Sequence, residues 1–571
     1  MFAPHGNLAS GLPQAGPPLA RYVHRPQQAD AMMLVREARE ADIGEIREIF
    51  EVVYGGDYPH HEVFDELWLK RSIFGDDVLI LVAEDTTAGR IAGTGSVMLD
   101  FGAHSDLVGE FGRLAVRPEY RRQHVGHLLM ERRLDAIRDR LHVGLVVART
   151  VHPYAQQISL AHGFAPVGFL PLKHQFRRRE SFALLARYFG DALPLRRNNP
   201  RLIPEACDLA NLVMPPAGVP ADFIVDDGAT PYPPGGTFQS EVLQAEGYPA
   251  LLRIERGRIR HREIFGPMRL DYGFFRLAAR QTTYLLARDG ARTVGAVGLA
   301  VDAAERSARV FELIASTDEV ARFLLEAMSA QCQALDLEYV EADVSAYAPR
   351  MQRTLLELGF LPVAYVPAMV FHDVERLDIV KMARLKGAAD VGAVALAPAV
   401  QAVADIVLQG FSAARVAPRM ARAIGEVPLF QGMSEEQALR VAGACRVAAA
   451  PAGTTLFEAG AAADRLYVVL DGELTISAPG AAEPLGAVTT GETVGEVSVL
   501  AGRSHSATAR AARDTEIAML EAGLLADLIR RRPDIGVIIY RNLARGLGDK
   551  LLRSDHSRRD RDDRALRRGL A

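Results

Sequence analysis

The sequence predicts two α/β (α+β) units in tandem, followed by an all-β jelly roll with flanking helices. Three observations carry that expectation. Between Leu114 and Met130 a short apolar strand runs through a turn into a basic, glycine-containing loop, which opens an amphipathic helix. The segment GFAPVGFLP, starting at Gly163, returns with changes as GFLPVAYVP, starting at Gly359, the mark of a duplicated unit. From residue 453 to 495, glycines punctuate short apolar strands, and Leu466–Leu470 and Glu473–Ile476 alternate as half-buried strands do.

A chain of 571 residues is too long for one core and suggests three or four domains. Its 49% hydrophobic and 24% charged content is that of a soluble globular protein. A formal charge of −5 argues against a whole surface made for nucleic acid. Cys207, Cys332 and Cys445 lie far apart, which fits a reducing cytoplasm and neither a disulfide framework nor a zinc site. No apolar run reaches the ~18 residues of a membrane span. Residues 1–32, rich in Pro, Gly and Ala, read as a disordered tail without signal-peptide character; a true start near Met32 or Met33 fits the same composition.

The first unit is expected over 33–175. A strand at Leu34–Arg36 leads to a helix from about Asp42 to Tyr54, with Asp42 as N-cap and Glu45 completing a capping box. Val78–Ala83 and Ile91–Met98 form a strand pair across a polar turn. Phe111–Val116 is the next strand. After the turn at Pro118 the helix shows apolar residues at 125, 128, 129, 134, 137 and 141 on one face. Leu145–Ala148, a short helix Ala155–His162 closed by Gly163, and the strand Phe164–Phe169 complete the unit. The loop before the long helix offers unpaired backbone N–H groups beside two guanidinium groups, an arrangement suited to a pyrophosphate.

These residues resemble the acyl-CoA loop of the GNAT acetyltransferase superfamily, Q/R-x-x-G-x-G/A after a strand ending L-x-V. Arg121 takes the first position and Gly126 the last, and His124 replaces the middle glycine. The element order β-α-β-β-β-α-β-α-β is also that of the superfamily. The resemblance implies acetyl-CoA or another acyl-CoA as cofactor, held by Leu114, Ala115, Val116, Arg121, Arg122, Gln123, His124, Val125, Gly126 and His127. Acyl transfer to an amine needs a base, an oxyanion donor and a proton for the thiolate. The resemblance makes backbone N–H groups of Leu114–Val116 the donor and Glu110, six residues before Val116, the base. Glu110 also reads as a solvated carboxylate at a strand start. The usual tyrosine acid falls on Ser159 and the usual asparagine on His152. Tyr154, His152 and His162 are further proton donors by chemistry. The segment Tyr58-Pro59-His60-His61-Glu62 is expected to line the acceptor cleft and not to hold a metal. The acceptor is a protein lysine or a small amine.

The second unit is expected over 251–378. Where its anion loop should stand the chain reads ELIASTDEVARFLLEAM from Glu312, with no glycine and no arginine pair. A degenerate structural partner follows from that loss. The connector 176–250 is expected to carry a helix near Phe182–Phe189 and a loop over Pro231–Gly236. Residues 379–424 are read as helical connectors, 425–553 as the roll, and 554–571 as a charged, disordered tail.

In the roll, AGTTLFEAG, DRLYVVLDGEL and GETVGEVSVLAGRSHSATARA resemble cyclic nucleotide-binding domains. The resemblance implies a ligand site at Gly495, Glu496, Val497, Ser504, His505 and Ser506. Glu496 matches the ribose contact, and His505 stands where an arginine usually pairs the cyclic phosphate. Imidazole cannot reproduce bidentate guanidinium pairing. The ligand is therefore open between cAMP, another anion, and none. The combination resembles the bacterial cAMP-regulated protein lysine acetyltransferases, which carry the nucleotide domain at the other end. The expectation is a cytoplasmic N-acyltransferase with a regulatory roll, without nucleic-acid or membrane partners and of open oligomeric state. A non-catalytic acyl-CoA or nucleotide sensor is the alternative.

Overall fold

The computed structural model describes residues 33–99, 106–243, 263–266, 270–271, 274–275, 281–387, 389–480, 484–546 and 548. The two expected tails and the start of the second unit near 251 lie outside the described residues. In the first unit, β1 (Met33–Glu37), β2 (Val78–Asp85), β3 (Arg90–Met98) and β4 (Val108–Val116) pair antiparallel in that order. β5 (Val143–Arg149) runs parallel to β4, and β7 (Arg179–Tyr188) lies between β5 and β6 (Ala165–Gln175). The helices are α1 (Ile43–Tyr54), α2 (Glu66–Phe74), α3 (Val125–Ile137) and α4 (Tyr154–Ala161).

Two expectations are corrected here. Asp42 precedes α1 but makes no side-chain cap. Its carboxylate pairs instead with Arg36 at 2.6 and 2.9 Å and accepts from the Arg39 amide, while Glu45 accepts from the Ile91 amide. A charged donor within reach outcompetes a neutral amide for a carboxylate. The helix expected near Phe182–Phe189 is strand β7, with residues 181–186 all buried. A strand covered on both faces loses its alternation, so an apolar run such as SFALLA cannot be told from a helix by period.

A connector follows, with β8 (Arg201–Leu202), α5 (Pro204–Val213) and β9 (Ile224–Val225). The second half comprises β10 (Gln239–Val242), β11 (Ile264–Phe265), β12 (Leu270–Asp271), β13 (Phe274–Phe275), β14 (Gln281–Asp289), β15 (Arg292–Asp302) and β16 (Ser307–Ala315). It continues through α6 (Asp318–Ala334), β17 (Tyr339–Ser345), α7 (Pro349–Glu357), β18 (Leu361–His372) and β19 (Glu375–Leu385).

One 15-stranded sheet holds both halves, in the order β1-β2-β3-β4-β5-β7-β6-β18-β19-β17-β16-β15-β14-β10, with β11 on β17. The order after β6 is that of the first unit in reverse, with a parallel β16–β17 pair in the place of β4–β5. The sheet of the first unit thus extends past residue 175, and that of the second begins before 251 and ends past 378.

The seam falls on the near-repeat itself. β6 meets β18 at Gly168 and Ala364, the sixth residues of the two segments. A Cβ on Gly168 would collide with Ala364 and lie 2.8 Å from the Val363 carbonyl, so glycine is required by close approach. Beside the seam, Asp378 is fully buried. It accepts from Arg196 at 2.7–2.9 Å, from the Tyr365 hydroxyl at 2.5 Å and from the Ala368 amide at 2.8 Å.

The roll packs two four-stranded sheets. One is β20 (Cys445–Ala450), β27 (Thr515–Glu521), β22 (Arg465–Asp471) and β25 (Thr493–Val494). The other is β21 (Thr455–Phe457), β26 (Thr508–Ala511), β23 (Glu473–Ser477) and β24 (Gly486–Thr489). The long α8 (Pro398–Glu426) and α9 (Glu435–Gly443) precede it, α10 (Glu496–Ala501) interrupts it, and α11 (Ala522–Arg531) follows β27. No helix among the described residues is long and apolar enough to cross a membrane.

Candidate active site

β4 and β5 pair only through Val108, Gly109 and Glu110 and then diverge. The β5-facing edge of β4 is therefore open from Phe111 to Val116, a stretch that includes Leu114–Val116, expected to supply the oxyanion donor. Glu110 sits at the fork, partly buried. Just beyond it Arg113 and Leu114 together oppose Gly95 in a bulge, and Arg113 takes φ +50°. A left-handed conformation costs a non-glycine residue about 1 kcal/mol. It turns the Arg113 side chain onto the Trp68 ring and into an ion pair with Glu62 at 2.7 Å. The fully buried Arg133 of α3 donates to the Ser96 and Gly112 carbonyls at 3.1 and 3.3 Å, holding the bulge against the helix.

The segment from Tyr58 to Glu62 lies beside this bulge. Tyr58 is buried between Tyr54 and Phe50, with ring centroids 4.6 and 5.0 Å away. Burial alone would raise the Glu62 carboxyl, but its bonds to His60 and Arg113 hold it well below the usual carboxylate range. His61 is exposed while His60 packs on His174, so the two histidines face different surroundings. Among the described residues no cluster of three or more His, Cys, Asp or Glu side chains is placed to hold a metal. The second half also reaches this region. Burial opposes the charge of Arg309 on β16, yet Asp343 at 2.6 Å, Glu341 and Glu110 keep its guanidinium above its ordinary range.

Residues 121–124 lead directly into α3, with an unexpected backbone. Arg117, buried, donates to Glu48 and to the Ile91 carbonyl and fixes the loop's entry. Arg122 and His124 take φ +65° and +60°. His124 thus accepts the left-handed conformation that its glycine counterpart adopts freely. No side chain caps α3, and the amides of Arg122, Gln123, Val125 and Gly126 reach no backbone carbonyl among the described residues. Gly126 has a packing role: a Cβ there would stand 2.8 Å from Ile158 Cδ1 on α4. His127 faces α4, with Nδ1 3.3 Å from His162 Nε2, and burial lowers the pKa of both rings.

The corresponding start of α6 is closed. The Thr317 hydroxyl caps it, and Asp318 and Glu319 occupy its first turn. An acidic, self-capped turn repels a pyrophosphate.

The candidate thiolate acids are not equivalent. Ser159 is buried, and its hydroxyl donates to the Ala155 carbonyl one turn back at 2.8 Å, a bond internal to α4. Its hydroxyl proton is thus engaged within the helix. Tyr154 is 64% exposed at the start of α4 and packs at a tilt against His152, with ring centroids 5.2 Å apart. Burial first, then the charges of Arg149 and Arg121, lower the His152 pKa. Those two arginines, Tyr54, His152 and Tyr154 therefore gather near the ends of β4 and β5. Arg149 itself is bidentate to Glu180 at 2.8 and 2.9 Å and lies over the Phe176 ring. Arg113, Arg133 and Arg149 leave no local sequence pattern: Arg113 depends on a positive φ, and the partners named above lie 21 to 51 residues away.

In the roll, Gly495 has φ +87° and Glu496 is buried; Val497, Ser504 and Ser506 are exposed. His505 is 3% exposed and stacks on Phe457, with ring centroids 3.7 Å apart. Burial lowers its pKa, favouring the neutral ring, although Asp464 opposes the shift.

The sequence profile of the Acetyltransferase (GNAT) family matches residues 43–164, and that of the Cyclic nucleotide-binding domain matches residues 447–532. The chain carries a GNAT acetyltransferase domain and a C-terminal cyclic nucleotide-binding domain. It is similar to an uncharacterized NTE family protein of Mycobacterium bovis, 30% identical over 125 residues, which cover 22% of this chain and 21% of that protein. It is also similar to a cyclic nucleotide-gated potassium channel of Rhizobium etli, 28% identical over 116 residues, 20% of this chain and 32% of the channel. The chain thus spans about a fifth of the NTE family protein's length. Among solved structures, a cyclic nucleotide-binding domain from Methylobacillus flagellatus is 24% identical, covering 24% of this chain and 80% of that one, with a TM-score of 0.23. The catabolite activator protein of Thermus thermophilus is 31% identical, covering 22% of this chain and 60% of its own, with a TM-score of 0.21.

Proposed function

We propose that the chain is an acetyl-CoA-dependent N-acyltransferase whose acceptor is an amine, a protein lysine by preference, and whose roll regulates the reaction from the cytoplasm. The observation that carries this reading is the contrast between two helix starts. The first turn of α3 is uncapped and flanked by Arg121 and Arg122, whereas α6 is capped by Thr317 and acidic. An anionic cofactor is favoured at the first and repelled at the second. The second half is then a degenerate copy that binds no acyl-CoA. Glu110 at the fork takes the acceptor's proton, the open edge of Leu114–Val116 stabilises the oxyanion, and Tyr154 returns a proton to the thiolate.

Calorimetric titration with acetyl-CoA, longer acyl-CoAs, cAMP and cGMP tests both ligand sites, and CoA release with a lysine peptide or a small amine tests turnover. Glu110→Gln is expected to lower kcat about a hundredfold or more with little change in KM for acetyl-CoA. Unchanged turnover removes Glu110 from the mechanism.

At the roll, a cyclic phosphate beside His505 would favour the protonated ring, which burial disfavours. Affinity for cAMP is therefore expected to rise as pH falls through and below the ordinary imidazole range and to fade above it. A flat affinity between pH 5.5 and 8 would show that His505 does not touch the anion.

A further inference from the structure

We infer that Gln156 is a positioning residue that ties the acyl-transfer site to the helix leading into the roll, an inference that rests on the acyl-transfer reading above. Gln156 is fully buried on α4, two residues after Tyr154. Its side-chain Oε1 accepts from the Ala397 amide at 2.9 Å. Its Nε2 donates to the Arg149 carbonyl at 3.0 Å and to the Ala395 carbonyl at 3.1 Å. Arg149 ends β5, and the residues after it include His152 and Tyr154. Ala395 and Ala397 stand directly before Pro398, the first residue of α8, and the Ala395 amide also donates to the Thr150 carbonyl at 2.6 Å. One side-chain amide therefore satisfies three backbone groups in two segments, Arg149 at the end of β5 and Ala395–Ala397, which lie 239 to 241 positions along the chain from Gln156.

The second half repeats the arrangement. Gln352 is fully buried on α7. Its Oε1 accepts from the Ile203 amide at 3.1 Å, and its Nε2 donates to the Ser345 and Arg201 carbonyls at 3.0 and 3.2 Å. Ser345 ends β17 as Arg149 ends β5, and Arg201 and Ile203 precede Pro204, the first residue of α5, as Ala395 and Ala397 precede Pro398. The helix that follows each unit is thus clamped onto the other one. α5 leaves the first unit and docks on the second; α8 leaves the second and docks on the first.

What lies beyond each helix distinguishes the two clamps. α5 leads back into the second half. α8 runs for 29 residues, about 44 Å, and reaches α9 of the roll. Ala397 and Val400 pack in one core with Val146, Ala148 and Phe164 of the first unit, and Val403, Ala404 and Val407 pack into the core across the seam. At the other end Arg440 of α9 pairs with Asp227 and lies 3.9 Å from Glu205 of α5. A helix moves as a rigid rod, so a change in the seating of the roll arrives at Pro398 and, through Gln156, at the carbonyl of Arg149 and the residues up to Tyr154. The clamp serves the unit with the open anion loop.

The test uses the full chain. Gln156→Leu keeps the volume and loses all three bonds. It is expected to lower kcat for CoA release about tenfold while KM for acetyl-CoA stays within about twofold. Amide exchange at 149–154 and 395–397 should quicken about tenfold. Gln352→Leu removes the matching bonds and is expected to lower Tm to a similar degree with kcat unchanged. In Gln156→Glu a carboxylate faces two carbonyls at alkaline pH; on acidification the protonated group donates again, so kcat relative to the parent should recover. Equal kcat losses in Gln156→Leu and Gln352→Leu, or none in either, overturn the positioning role. Should Gln156→Leu fail to fold, the absence of acid recovery in Gln156→Glu overturns it. If the parent protein binds no acetyl-CoA, the acyl-transfer reading falls by itself. The exchange rates at 149–154, unmoved in Gln156→Leu, would then separately refute the clamp.

Discussion

Gly126→Asp is expected to weaken acetyl-CoA binding at least about a hundredfold while leaving the protein folded. Gly126 is the second residue of α3, inside the uncapped turn whose amides face the loop. A carboxylate there competes for those amides and repels the pyrophosphate. The same carboxylate suits the positive end of the helix, worth about 0.3–1 kcal/mol. Its Cβ meets only the flexible tip of Ile158, 2.8 Å away, which rotates aside. Loss of affinity with a retained melting transition is the combination to look for in calorimetry and thermal scans. An unchanged Kd in the variant refutes the loop assignment.

Asp378→Ala is expected to destabilise the tandem body by about 3–5 kcal/mol, the cost of leaving a buried charge without its partner. Asp378 is the acceptor for Arg196, Tyr365 and the Ala368 amide, all beside the seam. Without it the buried guanidinium of Arg196 keeps only Asp222, at 2.9 Å. Denaturant unfolding followed by intrinsic fluorescence reads the loss. A change below about 1 kcal/mol would mean that water or Asp222 compensates and that the network does not hold the seam.

These effects separate what sequence makes legible from what it does not. The turn Arg121–Gly126 and the helix it opens were readable because the signal for a loop at a helix start lies within six consecutive residues. Gly168 and Ala364 were visible as the matching positions of a near-repeat, but that they touch was not. Ser159 stands by position where a chemical role was expected; that its hydroxyl donates to the backbone carbonyl one turn back is a property of helix geometry. The apolar run at β7 carried no period because both its faces are covered. Asp42 looked like an N-cap, and a guanidinium six residues upstream took its carboxylate.

The basic anion loop, the order of strands and helices around it, the repeat and the glycine-punctuated roll are determined by the sequence itself. Each of these rests on interactions between residues a few positions apart. The joining of two units into one sheet, the exchange of their trailing helices and the twin glutamine clamps were decided only by the tertiary structure. Each depends on groups that chain connectivity leaves independent until burial forces every backbone donor and acceptor to find a partner.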